Sequence, residues 1–497
     1  MAHLIVQGFA ASLTPFNIAL MALGVVIGIV FASLPGLTGA AAMTMLLPIS
    51  YGMPAVSAVL LLIAIWNAAV WAGAVPAIVM NIPGTSAAAA TLLDGHPLAR
   101  QGLAQRAIRT SIIGAFVGSI AAALALLFIA PLIGNVVIYL GPAEIFAFAS
   151  FGLTLVVSIT RGTLAKSVIS VLIGLFIGTI GFAPSGFQRF VFTPNLLSGV
   201  ALIPALIGLF TFPELINLIR HRRPRIVQVE PSRERDLFLY RLDDWGKHWF
   251  NFVRSALIGV FMGIHPGAGP TISSFITYNE ARRVNKTDPP FGEGNIDGVI
   301  ASDTGANAAV LSGLIPAFTL GIPGSVDTVI IIAALTLHGL QPGPSLFMQH
   351  PAFVYTIFTG AFVANILMLI IGLFAARWTA KLALVPTRFL LPIVTVVALV
   401  GSFAVQNNWF DVLIALLAGL LGYALRSMGI STVPLLLGLI LGPILETNLY
   451  QAVEVYGSIW SAIFTRPIAL AFLLLSVASL VHALVTRRHR KVGTDVV

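Results

Sequence analysis

The feature that most constrains the fold is a pattern that occurs twice in the chain. Residues 67–85 read NAAVWAGAVPAIVMNIPGT and residues 307–325 read NAAVLSGLIPAFTLGIPGS, with ten identities in nineteen positions and no gap. Upstream of each copy, Gly28 and Gly259 lie seven residues before a Pro-Gly pair. Proline lacks an N–H and disrupts a helix, and glycine adds backbone freedom. The sequence therefore predicts a duplicated unit in which a helix is interrupted at Pro-Gly.

The composition places this unit in a membrane. Of 497 residues, 58% are hydrophobic and only 9% are charged, whereas a soluble domain carries about 25% charged residues. Apolar runs recur near the length of about 20 residues that crosses a bilayer. We therefore predict an all-α polytopic membrane protein with about 10–12 spans plus hairpins. The net charge of +9 favours cytoplasmic basic loops over nucleic-acid binding.

The chain divides into two membrane repeats and a linker. Residues 1–219 form the first predicted repeat, residues 252–497 the second, and the polar stretch 220–251 a cytoplasmic or interfacial linker with an amphipathic arm. Each repeat begins with apolar arms interrupted at 33–39 or at 263–271. We favour a re-entrant hairpin at each interruption, and one long kinked helix is the alternative.

Basic loops alternate between the two halves. The loop 94–109 after the first Pro-Gly break carries three arginines, and its counterpart 338–350 carries no Lys or Arg. The loop 50–54 after the first hairpin is uncharged, while its counterpart 281–297 has two arginines and a lysine. If basic loops are cytoplasmic, the repeats are inverted relative to each other, an arrangement typical of secondary transporters.

A helix broken inside a membrane exposes peptide groups that need ligands. The N-terminal end of a half-helix suits a carboxylate, and the carbonyl end suits Na⁺. The predicted substrate-binding residues come from the four Pro-Gly segments: Gly36, Leu37, Thr38, Gly84, Thr85, Ser86, Gly267, Gly269, Thr271, Gly324 and Ser325. A packing kink is the alternative for any single Pro-Gly.

Intramembrane amides and acids are the candidate cation-coupling groups. Asn67 and Asn307 recur at equivalent positions, Asp303 lies one helical turn before Asn307, and Asp327 follows the second break. We predict that these four residues bind Na⁺ or carry a proton. Helix–helix hydrogen bonds and helix capping are the alternatives.

Two further expectations concern the polar residues near the breaks. Residues 92–102 read LLDGHPLARQG and are expected to form a turn-rich loop in which Asp94 is a turn or cap residue. No arginine is evident inside the membrane, so helix dipoles and bound cations would have to offset the charge of an anionic substrate.

Signatures of enzymes are missing from the sequence. It contains no HExxH, GxSxG or P-loop motif. It also contains no cysteine, which excludes disulfides and thiolate metal sites. We predict a protein that is not an enzyme and has no cofactor. Transport would then depend on an ion gradient or on another subunit.

Several motifs resemble one transporter family. PGL (35–37), NIPGT (81–85) and DGHPLARQG (94–102) in the first half, and HPGAGPT (265–271) and HGLQPGP (338–344) in the second, are similar to the large membrane subunit of tripartite tricarboxylate transporters, the TctA family. The resemblance implies a bacterial inner-membrane permease for tricarboxylates or related carboxylates. It also implies a Na⁺ or H⁺ gradient, an elevator-like motion, a periplasmic substrate-binding protein and a small membrane subunit of about four helices.

The chain departs from the family pattern at three positions. The family usually has glutamate where this chain has Asp303, asparagine where it has Ala306, and a small or hydroxyl residue where it has Asp327. These departures leave the coupling ion and the substrate open. The alternatives to the family reading are a channel, a stand-alone carrier for another organic anion, an intramembrane enzyme and a structural scaffold.

Overall fold

The protein is almost entirely helical. The computed structural model describes residues 2–34, 37–137, 140–159, 164–220, 242–265, 269–382 and 390–492. The helices are α1 Ala2–Ser12, α2 Pro15–Ser33, α3 Gly39–Ser50, α4 Ala55–Ala72, α5 Ala74–Met80, α6 Ala88–Arg100, α7 Ala104–Val137, α8 Pro142–Ile159, α9 Leu164–Gly178, α10 Leu202–Arg220, α11 Leu242–Ile264, α12 Gly269–Val284, α13 Ile296–Ser312, α14 Leu314–Leu320, α15 Val326–Leu337, α16 Pro344–Gln349, α17 Pro351–Leu382, α18 Leu390–Ala404, α19 Trp409–Ser427, α20 Thr432–Tyr456, α21 Ile459–Thr465 and α22 Pro467–Val492. A short antiparallel pair, β1 Gly181–Phe182 and β2 Gln188–Arg189, follows α9.

The length and apolarity of the helices confirm the all-α polytopic class. Within the described ranges, seven helical stretches are long and apolar enough to cross a membrane, and the bent pair α21–α22 would make an eighth. Six further apolar helices have only 10–17 residues. A helix rises about 1.5 Å per residue, so most of these are short for a bilayer core of about 30 Å. The sequence-based number of about 10–12 spans is larger because it included apolar stretches that form these shorter helices.

Helices α2 and α3 fold back on each other beside α4. At the start of α2, Ser57 of α4 donates a 2.6 Å hydrogen bond to Asn17. Near its end, a Cβ at Gly28 would lie 3.1 Å from the Cβ of Ala68, so α2 runs parallel to α4. Helix α3 begins beside the end of α4, because a Cβ at Gly39 would lie 2.6 Å from the Cβ of Ala69. It ends at Ser50, a few residues before α4 starts, so α3 runs opposite to α4. The two arms therefore form a hairpin, and the alternative of one kinked helix is wrong for this segment.

The second repeat has the same internal contacts. The shift of 240 residues that aligns Asn67 with Asn307 also aligns Ser57 with Asp297. Asp297 accepts a 2.7 Å hydrogen bond from His248, on the first arm of the second hairpin. Farther along that arm, a Cβ at Gly259 would lie 2.6 Å from the Cβ of Ala308, the counterpart of Ala68. The likeness of the two sequence copies thus extends to the contacts that they make.

Each repeat covers the broken helix of the other. The long helix α7 of the first repeat packs against α13, and the long helix α17 of the second repeat packs against α2 and α4. The most apolar stretches of Ala55–Met80 and of Ile296–Leu320 are wholly buried among the described residues. The two broken helices are therefore the centre of the molecule.

Helix α7 runs in the same direction as α13. Gly114 faces Ile300 and Thr304, and Gly118, one turn later, faces Thr304 and Ala308. At both glycines the α13 backbone comes so close that a side chain would clash or be crowded. This close approach fixes the first repeat onto the broken helix of the second.

Helix α7 runs opposite to α4. Ser119 donates a 2.9 Å hydrogen bond to Asn67, whereas Ile112, two turns earlier on α7, meets Trp71 around Gly372. Because α7 is parallel to α13 and opposed to α4, the two broken helices point in opposite directions. Inverted repeats require this relation, and the orientation of each repeat in a membrane stays a prediction.

Two predicted segments differ from their expected form. Residues 92–102 were expected to be a loop, but α6 continues to Arg100. Asp94 lies within this helix, fully buried, and accepts from the amides of Gly292, Gly294 and Asn295 at 2.7, 3.0 and 2.8 Å. The prediction of a turn or cap was wrong because a loop of the second repeat supplies the donors.

The predicted linker 220–251 lies partly outside the described residues. Helix α10 ends at Arg220, and residues 221–241 are not described. Helix α11 begins at Leu242, inside the predicted linker, and continues without a break to Ile264. The end of the predicted amphipathic arm and the first hairpin arm of the second repeat are therefore one helix.

Candidate functional site

Both broken helices end in the same backbone conformation. The residue after α5 is Asn81, with φ 59°, and the residue after α14 is Gly321, with φ 71°. The amides of Ile82 and Ile322 each bond, at 3.3 Å, to the carbonyl of the proline four residues inside their helix end. Asparagine and glycine are the residues that best tolerate this left-handed conformation. The Asn–Gly exchange between the two copies therefore preserves one type of helix end.

Described residues at or just after the four Pro-Gly pairs meet at one cavity of about 470 Å³. The lining residues from these segments are Thr38, Gly39, Ala40, Thr85, Ser86, Ala87, Gly269, Pro270, Thr271, Ile272, Gly324, Ser325, Val326 and Asp327. They lie at or just before the starts of α3, α6, α12 and α15. The N-terminal end of a helix carries a partial positive charge and unpaired amides, both of which favour an anion.

Some of the hydroxyls around the cavity already have roles in the fold. Thr38 accepts the amide of Ala41 at 3.2 Å, and Ser325 forms a capping box with Thr328. In contrast, the Thr85 hydroxyl is buried and has no hydrogen bond to a described residue. A ligand in the cavity would find Thr85 available and would compete with the helix caps for the others.

The structure brings most of the predicted substrate-binding residues to this cavity. Those that line it are Thr38, Thr85, Ser86, Gly269, Thr271, Gly324 and Ser325. Leu37 and Gly84 are buried next to these residues but do not line the cavity. Gly36 and Gly267 lie outside the described residues.

Of the four predicted cation-coupling residues, Asp327 lines the cavity and the other three lie away from it. Asn67 is 1% exposed, accepts from Ser119 and donates to Asn365. These bonds join α4 to α7 and α17. The amide of Asn67 thus has partners on helices of both repeats. This geometry is the one expected for a helix–helix hydrogen bond, the alternative to cation binding at Asn67.

Asp303 lies at a buried polar contact between α6, α7 and α13. It is 2% exposed and accepts a 3.0 Å hydrogen bond from Thr91 on one carboxylate oxygen. The other oxygen is buried without a hydrogen-bond partner among the described residues. On the same helix, the side-chain oxygens of Thr304 and Asn307 are also buried without a partner among the described atoms. Carboxylate, amide and hydroxyl oxygens of this kind suit a proton or a hard cation.

Sequence reasoning missed two further charged residues that line the cavity, Arg426 and Glu214. Arg426 lines it from the last turn of α19 and pairs with Glu214 of α10 at 2.8 Å. The sequence-based expectation was that helix dipoles and bound cations offset the charge of an anionic substrate, and it did not include this arginine. In sequence, Arg426 reads as a basic residue at a helix end, and no pattern indicates what that end faces.

Trp66 is another lining residue that the sequence analysis did not single out. Its ring is buried, and its indole faces Asp327, short of a hydrogen bond of normal geometry. It lies one position before Asn67 on α4 and so belongs to the broken helix itself. The cavity therefore has an aromatic wall as well as polar rims.

Comparisons with known proteins identify the family of this chain. The model of the tripartite tricarboxylate transporter TctA family matches residues 18–437. An uncharacterized 52.8 kDa protein from the TAR-I ttuC' 3' region of Agrobacterium vitis is 33% identical over 479 residues, 96% of this chain and 95% of the relative. An uncharacterized protein from the TAR-II ttuC' 3' region of the same organism is 34% identical over 226 residues, 46% of this chain and 93% of the relative. No solved structure gives a significant match. The matched residues include all four Pro-Gly segments, and the chain belongs to the tripartite tricarboxylate transporter TctA family.

Proposed function

We propose that this chain is the permease subunit of a binding-protein-dependent secondary transporter that imports tricarboxylates or related carboxylates. Membership of the TctA family implies the membrane component of a tricarboxylate transporter. The observation that carries the finer proposal is the convergence of four helix N-termini on one cavity. Such a cavity attracts anions without a dedicated cluster of basic side chains.

The cavity suits a small polycarboxylate. Its volume of about 470 Å³ lies within the range of about 300–1,000 Å³ that is usual for small-molecule sites. Substrate carboxylates accept hydrogen bonds from the first amides of α3, α6, α12 and α15 and from the hydroxyls of Thr85, Ser86 and Thr271. Gly269 and Gly324 keep side chains out of the way where the backbone approaches the ligand.

Coupling to a cation follows from the acidic side chains in and near the cavity. Asp327 lines the cavity, so an anionic substrate would be repelled unless Asp327 is protonated or a cation binds with the substrate. Asp303, with the unpartnered oxygens of Thr304 and Asn307, is a second place for such a cation. We therefore propose that Na⁺ or H⁺ enters with the carboxylate and that these two aspartates carry the coupling, with Asn307 contributing and Asn67 positioned by Ser119 and Asn365.

The remaining parts of the proposal rest on the family. A periplasmic substrate-binding protein delivers the carboxylate, a small membrane subunit completes the complex, and the whole lies in a bacterial inner membrane. The motion is elevator-like, with two inverted repeats around the cavity. The opposite directions of α4 and α13 support this arrangement.

Uptake into proteoliposomes tests the proposal. The full chain, with and without its binding protein and small subunit, is given labelled citrate under an imposed Na⁺ or H⁺ gradient. We expect saturable uptake that depends on one of the gradients and on the binding protein. Flux that never saturates and follows only the citrate gradient would indicate a channel. Full activity of the chain alone would indicate a stand-alone carrier.

A further inference from the structure

The lining of the cavity also includes one ion pair. Arg426 and Glu214 both line the cavity, with side chains 28% and 17% exposed. Among the described residues that line the cavity, Arg426 is the single cation. These two residues belong to α19 and α10, which pack closely together and lie outside the repeated stretches 67–85 and 307–325. The cavity therefore lies between the broken helices and a separate pair of helices that presents a guanidinium.

A carboxylate ligand could replace Glu214 as the partner of Arg426. The guanidinium has five donors in a planar fork, and a carboxylate can accept two of them side by side. One guanidinium nitrogen of Arg426 donates a 2.8 Å hydrogen bond to Glu214. Glu214 is itself a carboxylate, so a carboxylate ligand that enters the cavity has the same chemistry as the group that already holds Arg426.

We propose that Arg426 binds one carboxylate of the substrate and that Glu214 is the internal group that this carboxylate displaces. The assignment rests on the proposed function and makes its substrate class narrower. One carboxylate would lie at the helix N-termini of the Pro-Gly segments and a second on Arg426. The site would thus select anions with at least two ionised carboxylates over monocarboxylates of similar length.

The two members of the pair should respond to substitution in opposite ways. Removing the guanidinium takes a charged hydrogen-bond donor from the substrate. Removing Glu214 takes away its competitor and leaves the guanidinium free. A purely structural ion pair behaves differently, because losing either partner harms the fold and leaves substrate affinity unchanged.

The test measures citrate uptake by the full chain with its partner subunits in proteoliposomes. We expect Arg426→Gln to raise KM roughly tenfold to hundredfold, the usual range for a lost charged hydrogen bond. Arg426→Lys should recover part of the loss, because it keeps the charge but not the fork. We expect Glu214→Gln to lower KM. Unlabelled succinate should compete better than butyrate, which has the same chain length, and Arg426→Gln should reduce that preference.

A matched ion pair away from the cavity provides the control. Arg189 and Glu446 are 2.7 Å apart and similarly exposed, at 31% and 30%. Arg189→Gln should leave KM and the succinate preference unchanged. If wild-type chains take up citrate and Arg426→Gln keeps the wild-type KM, the role of Arg426 is overturned while the proposed function stands. If KM rises for Glu214→Gln as well, displacement of Glu214 is overturned. If wild-type chains show no saturable carboxylate uptake, the proposed function itself fails.

Discussion

The hydroxyls of Ser86 and Thr271 lie 2.7 Å apart, although 185 residues separate them in the chain. Ser86 follows the break in the first broken helix, and Thr271 follows the tip of the second hairpin. The two repeats are thus joined by a hydrogen bond at the rim of the cavity. A ligand that binds either hydroxyl would act on both repeats at once.

This contact predicts a measurable coupling between the repeats. Ser86→Ala and Thr271→Val each remove one partner, and a hydrogen bond of this kind contributes about 0.5–1.5 kcal/mol. In a double-mutant cycle on citrate KM and thermal unfolding, we expect the double variant to lose less than the sum of the single losses. Ser150→Ala is the control, because its hydroxyl donates a 2.8 Å hydrogen bond to Phe146 within its own helix. Strictly additive losses would show that the contact carries no coupling.

The two glycines after the breaks should differ in their tolerance of a side chain. A Cβ at Gly84 would overlap the carbonyl oxygen of Ala32 and lie 2.8 Å from Pro76. A Cβ at Gly324 would have its nearest neighbour at 3.5 Å, an ordinary contact. We expect Gly84→Ala to lower the unfolding temperature and uptake, because overpacking costs about 1–3 kcal/mol. Gly324→Ala should keep both within error, and equal losses at the two positions would contradict this reading.

A larger side chain at Gly324 should affect uptake more than folding. Gly324 lines the cavity, so Gly324→Val fills space that the substrate needs. We expect near-normal expression and monodispersity with loss of citrate uptake. Normal uptake by this variant would remove the second break from the substrate site.

Asp303 should control ion dependence rather than substrate affinity. Asp303→Asn keeps the size of the side chain and removes its charge and its ability to release a proton. We expect net uptake driven by the ion gradient to be lost, while exchange of internal for external citrate continues. Asp411→Asn is the control, since Asp411 is equally buried but lies in the first turn of α19. Gradient-driven uptake that survives in Asp303→Asn would exclude Asp303 from coupling.

Asp94 should be needed for stability. Its carboxylate accepts three amides from the loop before α13, and Asp94→Ala would leave those buried donors without an acceptor. Each unsatisfied group costs roughly 1–3 kcal/mol, so we expect severe loss of folded protein. Glu280→Gln removes an exposed ion pair and should leave the unfolding temperature unchanged. A stable Asp94→Ala protein would show that the loop is held by other contacts.

The repeated pattern made the broken helices predictable, because proline, glycine and left-handed caps act locally. Positions such as Asn81 and Gly321 can be read from sequence, since few residues adopt that backbone. The roles of Asp94 and Arg426 could not be read this way. The hydrogen-bond donors to Asp94 come from a loop about 200 residues away in the chain. Arg426 lines the cavity because α19 packs on α10. No pattern in the sequence around Asp94 or Arg426 indicates either pairing.

Each broken helix packs against a long helix of the other repeat, and this arrangement has a consequence for biogenesis. When the ribosome has completed the first half, α4 has been synthesised but α17 has not. The side chain of Asn67 then lacks its partner Asn365, and an amide facing lipid is costly. We therefore expect the nascent first half to depend on the translocon or an insertase until the second half emerges. We expect a chain truncated before α17 to expose the same surface and to be degraded faster than the full chain.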